Sequence, residues 1–239
     1  MVQKTVWVPE LGELTLSKRR GAKNLRLSIS ATGKLRVGMP LWAPYAAGIQ
    51  FALQRKDWIK KHTAAESRKL SHGSRIGKSH RLRYSFDPAR KTVLATVSNG
   101  LVSISAPWPL EHSAVQSKIS QAADKALKKE AETLLPQRLA VLARNHGYRY
   151  KDVRIRKLTS RWGSCSSDKI ITLNFFLMQL PWPLIDYVIL HELVHTKHLN
   201  HSAAFWQEFD SIYPGAKNYR KQLKKYQPML ADQESQNVA

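Results

Sequence analysis

The sequence predicts an α+β protein whose N-terminal part is basic and rich in β-structure and whose C-terminal part is dominated by helices. Three observations carry this reading. Apolar and polar residues alternate in short runs through the first 110 residues, as half-buried strands require. Beyond residue 111 the apolar residues recur mainly at helical spacing. The charge is uneven: residues 1–110 carry 20 basic and 5 acidic side chains, net +15, and residues 111–239 carry 19 and 12, net +7.

Along the chain, Leu25-Arg-Leu-Ser-Ile-Ser and Leu35-Arg-Val-Gly-Met alternate on either side of a turn at Ala31-Thr-Gly-Lys, which makes a hairpin that Pro40 and Pro44 end. Residues 45–65 are expected to form a helix with Ile49, Leu53, Trp58 and Ile59 on one face and Arg55, Lys56, Lys60 and Lys61 on the other. Residues 63–79, poor in large apolar side chains, read as a linker or loop. Strand patterns resume at Leu82–Phe86, Thr92–Val97 and Leu101–Ser105, with Asn99-Gly100 as a two-residue hairpin turn. The segments 25–40 and 93–107 look alike, but their identities are too sparse to read as an internal repeat. Residues 111–145 carry a helical stripe through Ile119, Ala123, Leu127, Ala131, Leu134 and Leu135; Pro136 is expected to kink or break it and Gly147 to end it. Val153–Leu158 and Ile170–Asn174 alternate again. Pro181 and Pro183 open a further helix, and an amphipathic stretch runs from about Ser202 to Tyr226. The division expected is 1–110, a basic β-rich region, then 111–227, then a polar tail over 228–239.

Composition narrows the classes. The chain has 239 residues, 39 Lys+Arg against 17 Asp+Glu for a net charge of +22, and 43% hydrophobic residues, enough for a packed core. A single cysteine, Cys165, rules out an intramolecular disulfide framework and a multi-cysteine metal site. No apolar run reaches the roughly 18 residues of a membrane span, and the N-terminus does not read as a secretory signal. The expectation is a soluble, cytoplasmic protein with no membrane partner. The basic balance points to a polyanion such as nucleic acid or nucleotide, or else to a solvated surface.

The chemistry concentrates at His191-Glu-Leu-Val-His195 on the helix opened by Pro183. Residues four apart on a helix project from one face, so both imidazoles can grip one metal ion. Glu192 lies roughly 100° round and is suited to act on water rather than as a ligand. The flanks Ile185, Tyr187, Val188, Ile189, Leu190, Leu193 and Val194 are apolar, and polar groups in so buried a helix need a function to justify their desolvation. Such a site takes zinc, one ion, with a coordination position left open.

A third ligand can come from His198 or His201. On a straight helix His198 stands about 10 Å along the axis from His191. A chain that turns at Asn200, in a left-handed conformation, brings His201 back. His201 is therefore favoured over His198, with Glu208 and Asp210 as weaker candidates. Arg161-Trp-Gly-Ser-Cys165 reads either as a tight turn locked by Trp162 or as a rim beside the metal, with Arg161 and Ser164 as candidate substrate-positioning residues. Cys165 is not expected to be a nucleophile, Tyr187 is expected in the core, and Phe205 and Trp206 are expected to pin the His201 turn.

Arg161-Trp-Gly-Ser-Cys165, Leu173-Asn174, Ile185-Asp-Tyr-Val188, His191-Glu-Leu-Val-His195 and Asn200-His-Ser202 with Phe205-Trp206 together resemble the YgjP-like family of zinc metallopeptidases, distant relatives of SprT-like and WLM proteases. The resemblance is dense from about Val153 to Leu223 and looser before it. It implies a zincin-like catalytic part, His191, His195 and His201 as metal ligands, and Glu192 as the catalytic base. Metzincins carry a glycine where this chain has His198, which separates it from them. The leading expectation is hydrolysis of a peptide or protein by zinc-activated water. A metal-dependent phosphohydrolase acting on nucleotides is the alternative among enzymes, and a nucleic-acid-binding module with a structural metal is the alternative outside them.

Overall fold

In the computed structural model the described residues are 2–29, 35–63 and 70–230. The chain is α+β and forms two compact units, Met1–Arg68 and Lys69–Ala239. The division falls inside the stretch expected as a linker, not at residue 110. The strands of residues 75–106 pack into the C-terminal unit's core, which is why a count of charge could not place the boundary.

The first unit has strands β1 (Val2–Val8), β2 (Gly12–Arg19), β3 (Arg26–Ile29) and β4 (Leu35–Pro40) in the order β1-β2-β4-β3. β2 and β4 run parallel and the two outer pairs antiparallel. The turn expected at Ala31–Lys34 lies outside the described residues. The alternation places Leu14, Leu16, Leu35, Val37 and Met39 on one buried face. The single helix expected over 45–65 is two, α1 (Tyr45–Leu53) and α2 (Lys56–Thr63). Trp58 does not join the core face as expected: 41% of its surface is exposed, while Ile59 is buried.

The second unit opens with β5 (Arg75–Ile76), β6 (His80–Phe86), β7 (Leu94–Ser98) and β8 (Leu101–Ala106), ordered β5-β6-β8-β7. This sheet repeats the first one's strand order and sense of pairing: antiparallel, parallel, antiparallel. The similarity of 25–40 and 93–107 is thus a shared topology, which sparse identities concealed. Part of the expected linker is core, since Leu70 and Ile76 are both buried. At the 99–100 turn only Gly100 takes positive φ, +74°.

Helix α3 spans Ser113–Asn145 and runs unbroken through Pro136. A proline inside a helix costs about 3 kcal/mol, and here Leu127, Ala131, Leu135 and Leu139 are fully buried around it, so tertiary packing offsets the lost hydrogen bond. Glu130 on α3 docks this helix to the second sheet. Its carboxylate accepts from the backbone N–H groups of Lys78 (2.6 Å), Ser79 (2.9 Å) and His80 (3.1 Å) and from His80 Nδ1 (2.6 Å). Gly77 has φ +69° there, and a Cβ would collide with Glu130 Oε2, so no larger residue fits.

A three-stranded sheet follows, β9 (Asp152–Arg156), β10 (Gly163–Cys165) and β11 (Ile170–Asn174), in the order β10-β11-β9. β11 runs parallel to β9 and antiparallel to β10. The turn expected at Gly163 is a strand instead; the chain reverses at 166–169, where Lys169 has φ +60°. A short 3-10 helix, Phe175–Gln179, leads to α4 (Trp182–Val194), α5 (Ala203–Ile212) and α6 (Ala216–Leu223). Pro214 and Gly215, with φ +80°, divide the last amphipathic stretch in two. No helix among the described residues is long and apolar enough to cross a membrane.

Candidate metal centre

α4 is buried on nearly all sides, with Leu184, Ile185, Val188, Ile189, Leu190, Leu193 and Val194 in the core. Two contacts fix its register. Asp186 accepts a two-pronged hydrogen bond from Arg138 of α3, at 2.7 and 2.6 Å. Tyr213 donates its hydroxyl to the Pro183 carbonyl at 2.8 Å. His191 and Glu192 stand in the last turn, and His195 caps the helix.

The helix ends at Val194, six residues before Asn200, and Asn200 is not left-handed. The chain turns at 195–198 instead, through Thr196 N–H to Leu193 O, Lys197 N–H to Val194 O and His198 N–H to Val194 O. Asn200 contributes through its side chain, which accepts from Ser202 N–H at 3.2 Å, and Ser202 caps α5. This folded-back segment carries His201 to the helix.

His191, His195 and His201 come together, each offering one ring nitrogen, with all three nitrogens within 4.8 Å of one another. The Nε2 atoms of His191 and His201 are 2.9 Å apart. Two lone pairs repel at that distance unless a proton or a cation lies between them. His195 Nδ1 is 2.9 Å from the His198 carbonyl. A carbonyl only accepts, so Nδ1 carries the proton and Nε2 keeps its lone pair for a metal. Phe205 is fully buried and its ring centroid lies 4.6 to 4.9 Å from those of all three imidazoles. Trp206 lies along His201, with rings 5.7 Å apart and 27° from parallel.

Burial, the two neighbouring histidines and Arg220 together push His191 down to about 3, and burial, His195 and Arg220 lower His201. Both imidazoles are therefore neutral near pH 7, the form that ligates. Glu192, 6% exposed, is pushed up to about 8 by burial, against the opposing pull of Arg161. A buried carboxyl group and three neutral imidazoles with converging nitrogens make a donor set for a cation. The donor set fits one divalent ion of zinc type, with three nitrogens and no fourth protein ligand among the described residues.

The other candidates fall outside this group. His198 Nε2 lies 2.5 Å from Glu208, which also accepts from Lys197 Nζ at 2.8 Å and the Tyr148 hydroxyl at 2.6 Å. Asp210 is exposed. The site opens into a cavity of about 510 Å³, with Arg161, Trp162, Gly163 and Tyr187 among its walls. Tyr187, expected in the core, is buried and still reaches this wall. Arg161 is set there by the loop before β10, which Asn174 holds: its Nδ2 donates to the Leu158 and Arg161 carbonyls at 2.8 and 2.9 Å. Gly163 on β10 approaches Glu192 so closely that a Cβ would meet its Cγ at 2.8 Å. Ser164 occupies the alternate position on that strand, paired with Thr172, and is not among the cavity's lining residues. Burial and the charge of Glu192 push the Cys165 thiol up to about 11, which suppresses the thiolate a nucleophile needs.

Sequence reasoning missed Arg220 and Leu223, which α6 adds to the cavity wall. Arg220 follows His201 by nineteen positions, with helix α5 and a turn between, and no local spacing reports that return.

No curated protein matches the chain. Among solved structures, the metallopeptidase zymogen abylysin of Pyrococcus abyssi is 28% identical, over 41% of this chain and 100% of that one, with a TM-score of 0.36. The metallopeptidase zymogen jannalysin of Methanocaldococcus jannaschii is 23% identical, over 36% of this chain and 88% of that one, with a TM-score of 0.32. The family described as YgjP-like, metallopeptidase domain, matches residues 23–226, and with well over half of its length inside that match the chain belongs to this family of metal-dependent peptidases.

Proposed function

We propose that the protein is a zinc peptidase in which His191, His195 and His201 hold one zinc ion and Glu192 is the general base. The observation that carries this reading is the convergence of three imidazole nitrogens beside the buried carboxyl group of Glu192 at one cavity. A zinc ion held there supplies Lewis acidity towards water and towards a substrate carbonyl. Three protein ligands leave a position open, as a catalytic site needs and a structural one does not. This zincin-like reading sets aside the structural-metal alternative.

Each residue then has a task. His195, its Nδ1 proton held by the His198 carbonyl, presents Nε2 in a fixed orientation. Glu192 takes a proton on its carboxylate during attack and hands it to the leaving amine; burial alone raises its proton affinity, and a cation held by the neighbouring histidines would favour the carboxylate a base needs. Arg161 opposes the rise in Glu192's proton affinity and helps position the substrate at the wall. Among the described residues, β10 pairs with β11 on one side only. Its other edge can take an extended peptide by backbone hydrogen bonding, which favours a peptide over a nucleotide substrate. The single cysteine fits the reducing cytoplasm we propose for it.

Zinc analysis of the purified protein, paired with hydrolysis of a mixed peptide pool, tests this reading. The expected result is one zinc per chain, peptide cleavage that a chelator abolishes, and recovery on adding zinc. Cleavage that persists in metal-free protein would refute it.

A further inference from the structure

The cavity holds two guanidinium groups and too little negative charge to match them. Arg161 stands two residues before Gly163, which abuts Glu192, and Arg220 lies over Trp206, whose ring neighbours those of His191 and His201. Neither arginine has a carboxylate within 4.0 Å among the described residues. Glu192 is the sole acid among the lining residues.

Arg220 is also held in place. Its guanidinium lies 5.0 Å from the centre of the Trp206 ring, and Trp206 lies along His201. Trp206 thus links the guanidinium of Arg220 to the imidazole of His201 on the cavity wall, and the cation–π contact restrains the fork before anything binds. The position has an electrostatic cost. A cation beside the three histidines repels a second cation bound by them. A guanidinium kept there, oriented and without a counter-ion, is accounted for by an anionic group that arrives with the substrate.

We infer that Arg220, supported by Arg161 on the Glu192 side, makes the enzyme selective for a peptide carrying a carboxylate beside the bond that is cut. The inference rests on the peptidase reading. The carboxylate has two sources, an Asp or Glu side chain or the peptide's own C-terminus, and both suit a planar fork.

The test uses the zinc-loaded full chain and a randomised decapeptide pool in two forms, with free and with amidated C-termini, read by mass spectrometry. A side-chain carboxylate predicts Asp and Glu enriched next to the cleaved bond in both forms. A terminal carboxylate predicts cuts near the C-terminus in the free-acid pool alone. Either preference is expected to be about ten- to hundredfold over the neutral isostere, the range of a charged hydrogen bond. Arg220→Gln should collapse that ratio towards one, Arg220→Lys should keep part of it, and Arg220→Glu should turn the enrichment towards Lys and Arg. No acid preference in either pool, or an unchanged ratio in Arg220→Gln, would overturn the inference. Equilibrium binding of a Glu-containing peptide and its Gln isostere, each with free and amidated C-termini, to Glu192→Gln protein separates the two readings. If no peptide is cut, the peptidase reading fails, and binding alone decides: a carboxylate preference lost in Glu192→Gln/Arg220→Gln supports the inference, and equal affinities refute it.

Discussion

Gly163 and Glu192 touch: a Cβ built on Gly163 would stand 2.8 Å from Glu192 Cγ and 2.9 Å from its Oε1. The glycine lets the edge strand β10 lie directly against the carboxyl group. Gly163→Ala must therefore move Glu192 or the strand. A displacement on the order of 1 Å costs up to about a hundredfold in rate. The expected outcome is a drop of about tenfold or more in kcat/KM with zinc still stoichiometric, measured by peptide hydrolysis alongside metal analysis.

Single alanine substitutions should sort the four histidines of the turn. His191→Ala, His195→Ala and His201→Ala each remove one nitrogen of the cluster and should lose zinc. His198→Ala keeps the backbone carbonyl that orients His195 and should retain it. Zinc per chain after gel filtration gives the result directly.

Asn174 is fully buried and holds the loop that carries Arg161. Asn174→Ala leaves the Leu158 and Arg161 carbonyls and the Phe176 N–H without its side chain. Losing this network should destabilise the protein by about 2–4 kcal/mol, from buried groups costing about 1–3 kcal/mol each when unpaired. Denaturant unfolding measures it, and kcat/KM should fall as Arg161 is released.

Glu208 gathers Lys197, Tyr148 and His198 around one carboxylate. Burial raises its proton affinity, but these three hydrogen bonds outweigh that and hold it down to about 2. A carboxyl depressed in the folded state stabilises the fold above its unfolded value near 4.5 and ceases to as pH falls towards 2. Metal-free wild type should exceed metal-free Glu208→Gln in stability at pH 6. The gap should close between about pH 4.5 and 2 in denaturant titrations.

The candidate site was legible where its residues lie within about one helical turn of one another. His191, Glu192 and His195 follow from spacing alone. His201 needed a chain reversal, which was anticipated but placed at the wrong residue: a left-handed Asn200 was expected, whereas the turn forms at 195–198 and Asn200 acts through its side chain. Strand positions were readable because alternation is local. The unbroken passage of α3 through Pro136 was not, because packing of Leu135 and Leu139 decides it. The boundary near residue 68 was hidden because Leu70 and Ile76 are few but fully committed to the second core. Gly163 against Glu192 and Arg220 against Trp206 are contacts between distant segments, which no pattern in one sequence reports.

The most direct test of the proposed chemistry is the peptidase activity of Glu192→Gln protein carrying a full complement of zinc. Glutamine keeps the shape and the hydrogen-bonding reach of Glu192 but cannot take a proton. The variant should fold and bind one zinc ion as the wild type does, while hydrolysis of the same peptide pool falls by about a hundredfold or more, the scale of general-base catalysis. Activity that survives in zinc-loaded Glu192→Gln would contradict the assignment of Glu192 as the base.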